Sequence, residues 1–249
     1  METNITPETD LTNEIISKPL NLWQRIVGIL WGGPRKTFED IIAAPKLTGI
    51  IILLLGISLL LAILVLPKMK EFTLLTLQNL PNAASMPASA ASTAVTAATV
   101  AVLAGSIAAP LITWLILAAL LSLFNSLTGG KASFKTLFSI CVYSYLPVMI
   151  ASIIKSGLII SSPARNMRDI STSLALFLPV VKIGDRLYMF LSQIDPFLIW
   201  SLVLLALGSS LAIKAAFKKT AVYIGALWVL YIIAVVFLSG KAFTASVGM

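Results

Sequence analysis

The sequence predicts an all-α fold, a polytopic membrane bundle of five transmembrane helices led in by short N-terminal interfacial helices. Three observations predict it. The 249 residues are 58% apolar and 11% charged, where a soluble domain of this size is about 45–50% apolar and about 25% charged. The apolar residues gather into five long stretches between Leu47 and Leu238, and none of the five contains Asp or Glu. Nearly all the charge sits in the short segments between them. A hydrocarbon core about 30 Å thick needs about 20 apolar residues per helical crossing, because only fully hydrogen-bonded backbone is stable in lipid.

In chain order, residues 1–19 read as a disordered tail. Met1 to Asn13 carries Glu2, Glu8 and Asp10 and lacks the basic and apolar regions of a secretory signal, so the first span is expected to serve as its own uncleaved anchor. Residues 20–46 read as cytoplasmic amphipathic helices. From Leu20 to Trp31, Leu22, Trp23, Ile26, Val27 and Leu30 recur at helical spacing beside Arg25, a stretch too short to cross and suited to the headgroup layer. Gly32-Gly33-Pro34 breaks that helix, and Pro34 is suited to open the next, Arg35 to Ala43, which ends before Pro45. Phe38, Ile41 and Ile42 make one of its faces apolar, so the pair forms a collar on the membrane.

Residues 47–238 form the five-span domain. The expected spans are Leu47–Leu66, stopped by Pro67-Lys68; a second within Val95–Phe124; a third within Leu137–Ile160; a fourth from Phe197 to Ile213; and a fifth from Ala221 to Leu238. The Ala/Ser/Thr-rich stretch Ala83 to Thr99 is expected as a loop or helical extension at the membrane surface. Between the third and fourth spans, Leu174 to Val181 is apolar but too short to cross, and a surface-lying segment suits it better than a re-entrant one. Residues 239–249 are expected as a C-terminal tail. With the N-terminus inside, ten basic residues lie on the inner side, Lys18, Arg25, Arg35, Lys36, Lys46, Lys131, Lys135, Lys214, Lys218 and Lys219, crowded against span ends. Seven lie on the outer, Lys68, Lys70, Arg165, Arg168, Lys182, Arg186 and Lys241, of which the four between Arg165 and Arg186 are spread through a long loop. The cytoplasmic side retains such an excess, which predicts a plasma-membrane protein with a cytoplasmic N-terminus and an extracytoplasmic C-terminus.

The net charge of +8 comes without a Lys/Arg run or an aromatic-interleaved basic strip, so its expected partner is anionic membrane lipid rather than nucleic acid. With a single Cys, Cys141, and no His, an intramolecular disulfide, a zinc site and a Ser/His/Asp triad are excluded. No catalytic residue, cofactor or metal is expected. Asp169, Lys182, Asp185, Arg186 and Asp195 read as loop charges and helix caps, with Asp195 placed just ahead of Pro196. Lys155 is the one charge well inside a span. Intramembrane ionisable groups are functional candidates, although near the outer end of the third span its stem can also snorkel to the headgroups. Pro110 and Pro147 each remove a backbone donor and are expected to kink their spans. Ala101, Gly105 and Ala109 on the second span, and Gly208, Ala212 and Ala216 on the fourth, recur four apart. Small residues so spaced let helices approach closely, within the chain or across a homo-oligomer.

Several of these segments together resemble the Yip-domain family, five-span membrane proteins first known as interactors of Rab-type GTPases. Gly33-Pro34-Arg35-Lys36-Thr37-Phe38-Glu39-Asp40-Ile41-Ile42 followed by Pro45 is similar to the lead-in of the family's bacterial-type branch. Gly129-Gly130-Lys131-Ala132-Ser133-Phe134, continued by Tyr143-Ser144-Tyr145-Leu146-Pro147, resembles the opening and the aromatic-Ser-x-x-Pro segment of its third span. Asp195-Pro196-Phe197 with Trp200-Ser201 resembles the start of its fourth. The likeness runs from Gly28 to Leu238 and implies a role in membrane organisation or trafficking through protein partners. A bacterial-type member has no Rab to bind, which leaves the protein partner unidentified.

Two functions follow. The first is a non-enzymatic adaptor or organiser whose cytoplasmic face binds a protein partner or lipid, with Trp23, Arg25, Trp31, Arg35, Lys36 and Phe38 as its contact residues. The second is a small channel or transporter for ions or small solutes, with Lys155, Pro147 and Tyr143 as its intramembrane residues.

Overall fold

The computed structural model describes residues 19–80, 87–167, 169–178 and 186–247. The expected tail up to Lys18, the start of the Ala/Ser/Thr-rich stretch up to Met86, the second half of the apolar loop segment, and Arg168, Lys182 and Asp185 lie outside these residues. Among the described residues the secondary structure is helical throughout.

The collar forms where the sequence punctuation places it. Helix α1 (Leu22–Val27) opens on a reciprocal cap: the Asn21 side chain accepts from Gln24 N at 2.8 Å and the Gln24 side chain accepts from Asn21 N at 2.9 Å. Two backbone donors at the helix start are thereby satisfied. The chain continues through a π-helical turn, Gly28–Gly32, to Gly33 at φ 108°, a left-handed conformation open to glycine, and Pro34 then occupies the first position of α2 (Pro34–Ala43).

The first span corrects the expectation of a stop at Pro67. Helix α3 (Thr48–Gln78) runs for 31 residues straight through it, about 46 Å at 1.5 Å per residue. Pro67 removes a single donor, and a helix accommodates that where the surrounding turns hold. Beyond it, Lys68 and Glu71 pair across one turn at 3.9 Å. Apolarity marks the bilayer core, and the helix outlasts it. Helix α4 (Ala88–Leu127) is longer still, 40 residues with Pro110 inside, so Ala88 to Thr99 form a helical extension.

The third span is two helices, α5 (Phe134–Ser144) and α6 (Leu146–Ser161), rather than one kinked helix. Pro147 has no N–H to offer the Tyr143 carbonyl one turn back. The chain tightens at Tyr145, whose N–H donates to the Val142 carbonyl at 3.2 Å. From the fourth span, the Ser201 hydroxyl donates to the Ser144 carbonyl at 2.7 Å, supplying a bond at the interruption.

The loop that follows contains 3₁₀ turns at Ala164–Asn166 and Leu174–Phe177 and a short helix, α7 (Arg186–Ser192). Leu176 and Phe177 are exposed there, while Ala175 is buried. Asp195 caps α8 (Pro196–Ile213), accepting from Phe197 N at 2.8 Å and Leu198 N at 3.4 Å, and its other oxygen accepts from the Thr172 hydroxyl. Helix α9 (Phe217–Val247) carries on through most of the stretch expected as a tail.

Among the described residues, five helical segments are long and apolar enough to cross a membrane, with α5 and α6 together making the third. That third span sits at the centre: 56% of its crossing window is buried, against 17% for the first and fifth. Helix α3 packs on α4 and α6, α4 on α5, and α5 and α6 on α8, with α9 against α8. Trp114, Leu121, Leu137, Ile140, Val142 and Leu205 fill the interior, while Ile52, Leu60, Leu115, Ile116, Val229 and Leu230 point outward. Outward apolar side chains are what lipid solvates, and the helices associate by packing and hydrogen bonding.

Candidate functional site

The alternating spans bring the collar, the turn from Thr128 to Ser133 and the turn from Lys214 to Ala216 to one face of the bundle. The seam is tight. A Cβ on Gly130 would lie 2.2 Å from Asn125 Oδ1 and 2.8 Å from Ile213 Cγ2. Asn125 closes its turn by donating to the Ala132 carbonyl at 3.1 Å and accepting from Ala132 N at 3.2 Å.

The collar is wedged into this face rather than laid upon it. Phe38 and Ile41 are completely buried. The Phe38 ring lies against the one helix position on α8 that lacks a side chain, since a Cβ on Gly208 would come within 2.9 Å of the ring and 2.7 Å of Ile140 Cγ2. The fourth-span small-residue pattern thus serves, at Gly208, to seat a collar side chain. Gly28 and Thr37 cross with equal closeness: a Cβ on Gly28 would lie 2.2 Å from Thr37 Oγ1, whose hydroxyl donates to the Gly33 carbonyl at 3.2 Å.

Arg25 is 1% exposed. Its Nε donates to Asp40 Oδ2 at 2.7 Å and its Nη2 to the Ala44 carbonyl at 2.9 Å, while Asp40 Oδ1 accepts from Leu20 N at 3.1 Å. One guanidinium therefore ties α1 to both ends of α2's last turn. Tyr143, also buried, donates to the Lys46 carbonyl at 3.4 Å and joins the collar to the third span. Arg25 and Phe38, expected as contact residues for a partner, instead form the inner surface of the collar: a side chain sealed between helices has no face to present.

The outer surface is formed by the remaining four expected residues. Trp23 and Trp31 are 71% and 74% exposed, and Val27 between them is exposed as well. At i, i+4 and i+8 these three share one face of the α1–π segment. Four and five residues after Trp31, Arg35 and Lys36 are exposed as well, with Arg35 reaching Glu39 at 3.3 Å. Two large aromatic side chains and an adjoining basic pair thus stand on a rigid base.

Residues 29–238 match the family model described as the Yip1 domain. The chain belongs to the Yip1 domain family. No curated protein and no solved structure matches it. The Yip1 domain here begins within the collar's π turn, takes in α2 and all five spans, and makes this a multi-pass integral membrane protein.

The three intramembrane candidates do not converge in this Yip1 domain. Tyr143 belongs to the collar seam and Pro147 is buried just after the Tyr145 interruption. Lys155, two turns from the opposite end of the third span, lines a pocket of about 260 Å³ between α3, α4 and α6. Sequence reasoning passed over Asp40, Gly208 as the seat of Phe38, and Ser58 and Ser106 of that pocket; Ser152 and Ser156 beside Lys155 are too common a pairing to stand out in the sequence. Asp40 has a signal in retrospect: together with Glu39 it is one of two acids in a collar whose cations are Arg25, Arg35, Lys36 and Lys46, and an acid among several cations is a candidate for a buried pair.

Proposed function

We propose that this Yip1 domain protein is a non-enzymatic adaptor or organiser of the plasma membrane, with its N-terminus and collar in the cytoplasm. Its working surface is the outer face of the collar, where Trp23 and Trp31, with Arg35 and Lys36, bind a protein partner or anionic lipid headgroups. The single observation that supports this most is the exposure of two tryptophans on a segment whose opposite side is locked into the bundle. Large amphipathic aromatics are favoured at membrane interfaces and as anchors in protein contacts, and holding them on a fixed base lowers the ordering cost of binding. Basic side chains at the same level favour anionic headgroups or an acidic partner surface. The non-enzymatic reading rests on a chain without His and with its single Cys buried.

The test leaves the collar folded. Trp23→Ala with Trp31→Ala in the full-length protein removes the aromatic pair and touches none of the buried contacts. The expected outcome is loss of co-purifying protein partners or of bound anionic lipid, at unchanged thermal stability. Partners and lipid both retained at wild-type levels would sink the proposal.

A further inference from the structure

The pocket between α3, α4 and α6 lies away from the collar, and its wall mixes two chemistries. Leu61, Ala62, Val65, Val102 and Ile159 are apolar, whereas Ser58, Ser106, Ser152, Ser156 and Lys155 are polar. Three of the serines already spend their protons on carbonyls: Ser58 Oγ donates to Ser106 O at 2.8 Å, Ser106 Oγ to Leu103 O at 2.8 Å and Ser152 Oγ to Val148 O at 2.9 Å. Among the described residues, Lys155 and Ser156 have no hydrogen-bond or ion-pair partner. Of the described acids, Asp40 pairs with Arg25, Glu39 with Arg35 and Glu71 with Lys68, and Asp195 caps its helix; Asp169, in the loop beyond α6, makes no ion pair with Lys155.

An exposed ammonium and a half-buried hydroxyl donor, adjacent on a span and lining a pocket that opens on the bundle surface, form a site for an anion. In surroundings of low dielectric the attraction is stronger than in water, and a charge within a span is costly unless paired. We propose that this pocket binds a phosphate-type oxyanion, with Lys155 as the counter-charge and Ser156 as a second donor. The volume holds a headgroup and no more, being smaller than the pockets of about 300–1,000 Å³ that enclose whole small ligands. The apolar wall continues into the lipid-facing surface of the bundle, where Ile153, Ile154 and Leu158 are exposed, so acyl chains can lie outside while the head is held within. This inference is independent of the collar and stands or falls apart from it.

The experiment uses the full-length protein in nanodiscs of phosphatidylcholine, titrated with phosphatidylglycerol and separately with inorganic phosphate, and reads bound anion by native mass spectrometry. A saturable one-to-one adduct is expected. Lys155→Gln should weaken it by about tenfold or more, the worth of one charge-assisted hydrogen bond, and Lys155→Arg should restore most of it. Ala62→Leu, which fills the pocket and leaves the lysine in place, should also abolish it. A lysine that merely reaches the headgroup layer would be insensitive to Ala62→Leu and Ser156→Ala. Phosphatidylglycerol that phosphate does not displace marks a lipid site, and displacement marks a site for free phosphate; in both cases the oxyanion site stands. Wild-type binding in Lys155→Gln, or in Ala62→Leu, overturns the proposal.

Discussion

At the scale of single residues, Arg25 is the side chain on which the collar depends. It is buried with one carboxylate, carbonyl oxygens and the Tyr143 side chain for company, and among the described residues its Nη1 has no hydrogen-bond partner. Removing one member of a buried pair leaves the other charge uncompensated and costs about 3–5 kcal/mol. Asp40→Ala should therefore lower the thermal midpoint in detergent steeply. Replacing both, Arg25→Met with Asp40→Ala, should recover much of the loss, because an apolar side chain of similar length fills the space without a charge to satisfy. A midpoint for Asp40→Ala equal to wild type would remove the pair from the account. In the sequence, Arg25 reads as a surface cation of an amphipathic helix, since its partner lies fifteen residues away across a glycine-rich break. Nothing local distinguishes a cation facing lipid headgroups from one facing a carboxylate. The tryptophans are different: their exposure follows from a helical register that the sequence displays openly.

At the scale of elements, two junctions hold the bundle: the seat of α2 on α8 and the interruption of the third span. The first is steric. Gly208→Ala places a methyl group against the Phe38 ring and Ile140, and forced overpacking of this kind costs about 1–3 kcal/mol. Phe38→Ala in the same chain relieves the clash with the ring, so the double variant should be less destabilised than the two single losses added together, by thermal unfolding in detergent. Strict additivity would mean that the two residues do not touch. The second junction is a hydrogen bond. Ser201→Ala removes the donor to the Ser144 carbonyl, and interhelical bonds of this kind average about 0.6 kcal/mol in membranes. A small fall in midpoint is the expected result. The helix caps were legible because each is local: Pro34 opens α2 and Asp195 opens α8 on signals within a few residues. The passage of α3 through Pro67 was not, because hydropathy reports where lipid ends and says nothing of where a helix must.

At the scale of the whole molecule, the five crossings are legible in composition alone, while the gathering of collar and turns into one seam is not. The seam depends on contacts between residues far apart in the chain, such as Phe38 with Gly208 and Tyr143 with Lys46. Its consequence is a definite sidedness. With each span crossing once, Lys36, Lys131 and Lys218 fall on one side of the membrane and Arg165 on the other; all four side chains are exposed. Cysteine labelling can read this directly, because the chain's own thiol, Cys141, is buried and is replaced by Ser to leave a silent background. In that background, Lys36→Cys, Lys131→Cys and Lys218→Cys should be shielded from an impermeant maleimide in intact cells and react after permeabilisation. Arg165→Cys should react from outside at once. The positive-inside excess on the collar side predicts this pattern rather than its mirror image. Reaction of Lys36→Cys in sealed cells would invert the orientation and move the tryptophan face out of the cytoplasm. A split among the three seam positions would break the five-span topology itself.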